Sequence, residues 1–164
     1  MASLSVPSLR KTPLFKPKIY VDGDACPVKK EIVRVAERHG LSVFLVANAW
    51  IHLPHPLVEM VVVSEGPDEA DNWIAENIGA GDICITADIP LASRCLERES
   101  RAIGPSGKPF TPANIGNALA MRELKSHLRE TGEDKGYNPS FTKNDRSQFL
   151  QTLEREIQAS LRQR

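Results

Sequence analysis

The chain has 164 residues, 41% of them hydrophobic and 26% charged, enough for one domain with a full core and too few for two ordinary ones. Lysine plus arginine balances aspartate plus glutamate at 21 each; this excludes a protein that coats nucleic acid through a general basic excess, so any phosphate partner must be met locally. No apolar run approaches the roughly 20 residues of a membrane span, and the three cysteines, Cys26, Cys84 and Cys95, have neither the even count of a disulfide framework nor the spacing of a zinc finger, so a soluble cytoplasmic protein with reduced thiols and no membrane partner is expected.

Residues 1–17 read as a disordered extension. The first 18 residues carry four basic and no acidic side chains and lack the continuous apolar stretch of a secretory signal. An α/β domain is expected over 18–130. It opens with a short strand, Ile19-Tyr20-Val21, that ends in Asp22-Gly23-Asp24, where glycine lets the chain turn. Pro27 suits the first turn of a helix whose apolar positions, Val28, Ile32, Val33, Val35 and Ala36, recur at helical spacing up to His39-Gly40. Ser42 to Ala47 is a wholly apolar strand, and after a loop rich in proline and histidine Val58 to Val63 is another; such runs are buried on both faces. A helix from about Asp68 to Ile78, the strand Ile83 to Thr86 and a helix from near Pro90 continue the alternation.

Arg101-Ala102-Ile103 is expected as a last edge strand, Gly104 to Pro109 as a loop, and Thr111-Pro112 as the opening of a helix that runs to about Glu130. Over 131–164 an irregular segment leads into a tail helix. Its stripe of Phe149, Leu153, Ile157 and Leu161 must dock on the domain or on a partner, a second copy of the chain included. The alternation implies a three-layer α/β sandwich, a mostly parallel sheet of about five strands with helices on both faces. In such sheets ligands bind beyond the carboxyl ends of the strands.

Aspartates stand at three of those junctions: Asp22 and Asp24 after the first strand, Asp68 and Asp71 at the start of the middle helix, and Asp88 after the Ile83–Thr86 strand. Residues two apart on extended chain share a face, as do residues three apart on a helix, so each pair can converge. Crowded carboxylates repel one another, and a hard cation such as Mg²⁺ or Mn²⁺ relieves the repulsion. All five are therefore candidate ligands, and Asp22, Asp24, Asp71 and Asp88 candidate catalytic groups. The plainer reading is helix capping, strongest for Asp68, weaker for Asp71 and Asp88, and weakest for Asp22, a strand-terminal acid beside a glycine and a second acid.

The remaining candidates are softer. Cys26 reads as a buried inert thiol, and His52 and His55 as surface residues without a metal pattern. Asn48, at the end of a strand, either meets substrate phosphate or satisfies turn backbone, and Thr86 either contacts a metal-bound water or is simply a strand residue. Lys29 and the ladder of Lys30, Arg34 and Arg38 on the first helix, a second ridge of Arg122, Lys125 and Arg129, and the loop Ser106-Gly107-Lys108, whose glycine would free backbone N–H groups, are candidate phosphate contacts; solvated helix faces look the same.

The run Ile19-Tyr20-Val21-Asp22-Gly23-Asp24-Ala25-Cys26-Pro27-Val28-Lys29, together with Val46-Ala47-Asn48, Asp68-Glu69-Ala70-Asp71, Ile85-Thr86-Ala87-Asp88-Ile89-Pro90-Leu91-Ala92, Phe110-Thr111, Asn114-Ile115-Gly116 and Asp145-Arg146-Ser147, closely resembles the YaiI/YqxD family of bacterial proteins over about residues 18–155. It departs from that family at Gly23, where alanine is usual, and over Arg101 to Ser106, which usually has an arginine near position 106. The resemblance implies a PIN-like domain, a fold shared by many metal-dependent nucleases, with its strand-one acid at Asp22, a helical acid at Asp71 and the acid of the hydrophobic-Thr-x-Asp motif at Asp88. Asp24 is the family's own addition, and the PIN-like strand order makes the first and fourth strands neighbours.

Three functions compete. The first is a Mg²⁺- or Mn²⁺-dependent nuclease acting on RNA, with Asp22, Asp71 and Asp88 on the metal and Asp24 a ligand or general base. The second is a phosphatase of the haloacid dehalogenase type, with Asp22 as nucleophile and Asp24 as general acid; the sequence lacks its late acidic pair and downstream lysine motif. The third is a nucleic-acid-binding or adaptor protein with a vestigial metal pocket.

Overall fold

The computed structural model describes residues 15–24, 26–131 and 141–162. Most of the expected N-terminal extension, 1–14, and most of the irregular segment, 132–140, lie outside those residues. In chain order the elements are β1 (Ile19–Asp22), α1 (Lys29–His39), β2 (Val43–Ala47), β3 (Val58–Val62), α2 (Glu69–Asn77), β4 (Ile83–Ile85), α3 (Ile89–Glu97), β5 (Arg101–Ile103), β6 (Pro109–Phe110), α4 (Ile115–Thr131) and α5 (Lys143–Arg162). The strands form one sheet in the order β3-β2-β1-β4-β5-β6. The first five are parallel, with Ile19 paired to both Val43 and Ile83, and β6 runs antiparallel to β5.

The strands β1, β2 and β4 are buried on both sides, which is why they read as unbroken apolar runs; β3, expected to be buried in the same way, lies at the sheet edge with Glu59 and Val62 exposed. Alternate residues of each strand point to opposite faces. Ile19, Val21, Val43, Leu45, Ile83 and Ile85 face one layer, made by α1 and α5. Tyr20, Cys84 and Ala102 face the other, where Ala70 and Ile74 of α2 pack with Leu91, Ala92 and Cys95 of α3, and α4 lies beside α3.

The tail stripe is spent on this chain's own core. Phe149, Leu153 and Ile157 are each 0% exposed and pack with Ile32 and Val35 of α1, each burial being worth about 1.5–3 kcal/mol. A capping box starts α5, since Thr142 N–H donates to Asp145 Oδ2 and Asp145 N–H donates to Thr142 Oγ1, both at 3.0 Å. An α5 so buried removes the basis for expecting its stripe to meet a partner chain.

Several boundaries differ from the sequence expectation. Pro109–Phe110, read as loop and helix lead-in, is a sixth strand; two residues with a proline carry no readable period, and an edge position tolerates the missing N–H. The helix expected from Thr111-Pro112 starts at Ile115, because Thr111 and Asn114 first close a turn in which each backbone N–H donates to the other's side chain. Pro27 precedes α1 instead of sitting in its first turn. Phe15, expected within the disordered extension, lies against Gly81, where an added Cβ would come 2.6 Å from its ring. Gly23 fits its place closely: a Cβ there would stand 3.0 Å from both Leu45 Cδ1 and the Val46 carbonyl oxygen, so the alanine usual in the resembling family requires its neighbours to yield.

Candidate functional site

Strand β1 has β2 on one side and β4 on the other, so the chain's winding direction reverses between β1 and β4. The crevice beyond the carboxyl ends of those two strands is the place where such sheets bind ligands. Asp22 is the last residue of β1, and Thr86 and Asp88 follow β4 directly. Asp22 and Thr86 both project on the α2–α3 face, since they continue the alternation of Tyr20 and Cys84.

Thr86 is 2% exposed and joins the two acids. Its hydroxyl donates to Asp22 Oδ2 at 2.9 Å and accepts the Asp88 N–H at 2.9 Å. With its proton and one lone pair engaged, Thr86 ties Asp22 to the start of α3 and positions that carboxylate. Asp88 is the N-cap of α3, with Oδ1 accepting the Leu91 N–H at 2.9 Å. Capping and site membership are not alternatives, since the cap uses one carboxylate oxygen.

The electrostatics bind Asp22, Asp71 and Asp88 into one cluster. Asp71, on the first turn of α2, has its pKa pushed up to about 6, first by burial and then by the charges of Asp88, Asp22 and Asp68, against a downward pull from Arg94. Burial likewise pushes Asp22 up, with Asp24 and Asp88 adding repulsion, while the Thr86 hydroxyl and the Asp24 backbone N–H pull it back. Carboxylates pushed up by acidic neighbours in this way share a field with too little positive charge nearby. The donors are oxygens throughout, the set that hard divalent cations prefer. Cys26, near enough to feel Asp22, stays a thiol, its pKa pushed up first by burial. Among the described residues no three acidic, histidine or cysteine side chains stand close enough together to hold an ion.

Other sequence candidates fare differently. Asp68 occupies the N-cap position of α2 but its side chain makes no capping bond and is exposed; it acts on the site through its charge on Asp71. Asp24 is exposed at the mouth. Asn48 takes the turn-stabilising role, its amide donating to the Ser64 carbonyl at 2.9 Å. Lys29 bends back to the Cys26 carbonyl at 2.7 Å. Lys30 and Arg34 are exposed on α1, the layer opposite Asp71 and Asp88. His55 is no plain surface residue: its Nδ1 accepts the Leu57 N–H at 3.1 Å.

In the loop Ser106-Gly107-Lys108 the glycine's own N–H is not free, because it donates to the Gly104 carbonyl at 2.9 Å. Its glycine serves packing. Gly107 has φ +94°, and an added Cβ would lie 2.6 Å from the Gln148 carbonyl carbon in α5; Thr152 Oγ1 fastens the same residue by donating to its carbonyl at 2.7 Å. Ser106 and Lys108 remain exposed.

Two positioning residues escaped sequence reasoning. Arg94 donates to Asn72 Oδ1 at 2.8 Å and opposes the charge cluster at Asp71; only its place two turns into a helix capped by Asp88 hinted at it. Arg146 of α5 donates at 3.0 Å to both the Pro27 carbonyl and Glu31, so the tail helix clamps the loop that carries Asp22 and Asp24 into α1. Its motif was visible, its reach of 119 residues was not.

Comparison with known proteins agrees with this arrangement of motifs. A family model described as "Uncharacterized BCR, YaiI/YqxD family" matches residues 20–159. The chain belongs to the YaiI/YqxD family. A UPF0178 protein of Parvibaculum lavamentivorans is 59% identical over 143 residues, 87% of this chain and 94% of that one. Another, of Agrobacterium fabrum, is 58% identical over 140 residues, 85% and 92% of the two chains. No solved structure matches. Among the described residues of this YaiI/YqxD protein no helix is long and apolar enough to cross a membrane.

Proposed function

We propose that this YaiI/YqxD protein is a PIN-like nuclease that hydrolyses phosphodiester bonds of RNA with Mg²⁺ or Mn²⁺. The observation that carries the reading is the raising of Asp71 by burial and by Asp88 and Asp22, together with the raising of Asp22 by burial, Asp24 and Asp88, at the carboxyl edge where β1 and β4 part. A fold keeps such repulsion only where something offsets it, and active sites are where perturbed carboxylates gather.

Asp22, Asp71 and Asp88 would hold a divalent ion here, with Asp68 adding negative field from the rim, and the ion would supply positive charge against the phosphate and an acidified water at neutral pH. The Thr86 hydroxyl favours the ionised form of Asp22 against its burial and fixes its direction. Asp24, exposed at the mouth, is placed to take a proton from the attacking water. Half-burial of Asp22, Asp71 and Asp88 lowers the local dielectric and strengthens each of these interactions.

The test is cleavage of a labelled single-stranded RNA by the purified full chain with Mn²⁺, compared with Asp22→Asn. The variant is expected to lose at least about a hundredfold in rate, the scale of removing one catalytic electrostatic group. If Asp22→Asn cuts as fast as the parent protein, the cleavage belongs to a contaminant and the assignment is wrong. Release of phosphate from small monoesters without strand cleavage would replace the nuclease by a phosphatase.

A further inference from the structure

A groove of about 560 Å³ lies between the β5–β6 hairpin and α4, within the size range of small-ligand sites. Ala87 and Ile89, the two chain neighbours of Asp88, line it, so it opens directly beside the acidic cluster. Its apolar surface is Ile89, Phe110 and Met121, the last 48% exposed. Lys108 on the hairpin faces Arg122 and Lys125 on α4 across it, and no acidic residue lines it. Arg122 and Lys125, three apart, share one side of their helix. Among the described residues Lys108, Arg122 and Lys125 make no ion pair.

The two basic features that the sequence presented separately, the hairpin lysine and the α4 ridge, are therefore opposite walls of one groove. In a chain with no net charge, three cations around an apolar floor with no acidic residue in its lining call for an occupant that is anionic at its edges and flat and apolar between them. A nucleotide in a single strand has that make-up, whereas a duplex hides its base faces. Met121 offers a polarisable thioether to an aromatic face, a contact worth about 0.3–1.5 kcal/mol.

We propose that this groove holds the nucleotide next to the cleaved bond of a single-stranded nucleic acid, its base against Met121 and Ile89 and its phosphates on Lys108, Arg122 and Lys125. This rests on the nuclease reading for the identity of the strand, yet it is tested without turnover. The groove carries the strand past Asp88, and its cations meet the backbone, so they give no sequence readout.

The experiment is fluorescence-anisotropy binding of a short single-stranded RNA, the matching DNA and an RNA duplex to the full-length protein in EDTA, across a salt series. The single strands are expected to bind at least tenfold tighter than the duplex. Arg122→Glu/Lys125→Glu is expected to weaken them at least tenfold and to flatten the salt dependence by about 1.4 in log–log slope, the value for two phosphate contacts on a single strand. Lys108→Glu, on the other wall, is expected to weaken binding as well, and as an independent variant it guards against a fold defect in the first. Unchanged affinity in both variants, or a duplex that binds as tightly as the single strands, overturns the groove. Absence of cleavage with intact binding would instead sink the nuclease reading alone.

Discussion

Thr86 and Asp22 meet across the β1–β4 boundary, hydroxyl to carboxylate, at 2.9 Å, and this bond opposes the burial and repulsion that push the Asp22 carboxyl upward. Thr86→Val keeps the shape and deletes the donor. A hydrogen bond to a charged group is worth about 1.5–3 kcal/mol, so the variant should hold Asp22 protonated to higher pH, weaken Mn²⁺ binding and move the acid limb of any pH–rate profile upward. Thr86→Ser should restore all three. Carbon-13 NMR titration of the Asp22 carboxyl reads the first effect, and an unmoved midpoint in Thr86→Val would contradict the positioning role.

Asp71 makes a prediction about stability with a definite sign. Its folded-state pKa is pushed up to about 6, while in the unfolded chain it sits near the ordinary value of about 4. The native state thus binds the proton more tightly, and the charged form is the one the fold disfavours. The destabilisation is fully present above pH 6 and is relieved as pH falls from about 6 towards 4. Asp71→Asn should therefore stabilise the metal-free protein at pH 8, by on the order of 1–2 kcal/mol once solvent screening is allowed for, with the gain shrinking towards pH 4. Urea unfolding in EDTA at pH 4, 6 and 8 measures it; a variant less stable than the parent at pH 8 would mean that Asp71 is held by partners, not strained by neighbours.

An ion that binds the folded cluster and not the unfolded chain must raise the melting temperature by mass action. At a concentration a hundred times the dissociation constant the gain is about 2.7 kcal/mol. Mn²⁺ and Mg²⁺ are expected to stabilise the parent protein in this way, and Asp22→Asn, which removes a charge at the centre of the cluster, should abolish most of the shift. A rise of equal size in both proteins would place the ion elsewhere.

Much of this was legible in the residues. β2 is a run of five apolar residues, Val43–Ala47, and burial of both faces is the one setting that such a run suits. The tail stripe at four-residue spacing was equally plain. Asp22, Asp71 and Asp88 were found because strand–helix junctions of a parallel sheet share an edge, so a local reading carried non-local information. Contacts between distant segments were not legible. Arg94 against Asp71, Arg146 on Pro27 and the pairing of Lys108 with the α4 ridge depend on how layers dock, which no local period encodes. The Gly107 misreading has the same origin: glycine in a loop suggests free N–H groups, while here it marks a close approach of two backbones.

That approach gives the last prediction. An alanine at 107 has to adopt φ +94° and place its Cβ 2.6 Å from the Gln148 carbonyl carbon, with the Gln148 oxygen and the Phe149 nitrogen at 2.8 Å. The obstacle is helix backbone, which cannot rotate aside as a long side chain does, and Phe149 is 0% exposed in the core beneath. Backbone strain of about 1–3 kcal/mol and overpacking of similar size add together, so Gly107→Ala should lose on the order of 3 kcal/mol. The same displacement lifts the hairpin that carries Lys108 away from α5. Exposed Lys108→Ala, by contrast, should unfold within about 0.5 kcal/mol of the parent. Urea unfolding of the two variants side by side separates the packing role of the loop from its charge: equal stabilities would show that the loop is held far less tightly to α5 than the Thr152 hydroxyl bond and the close approach require.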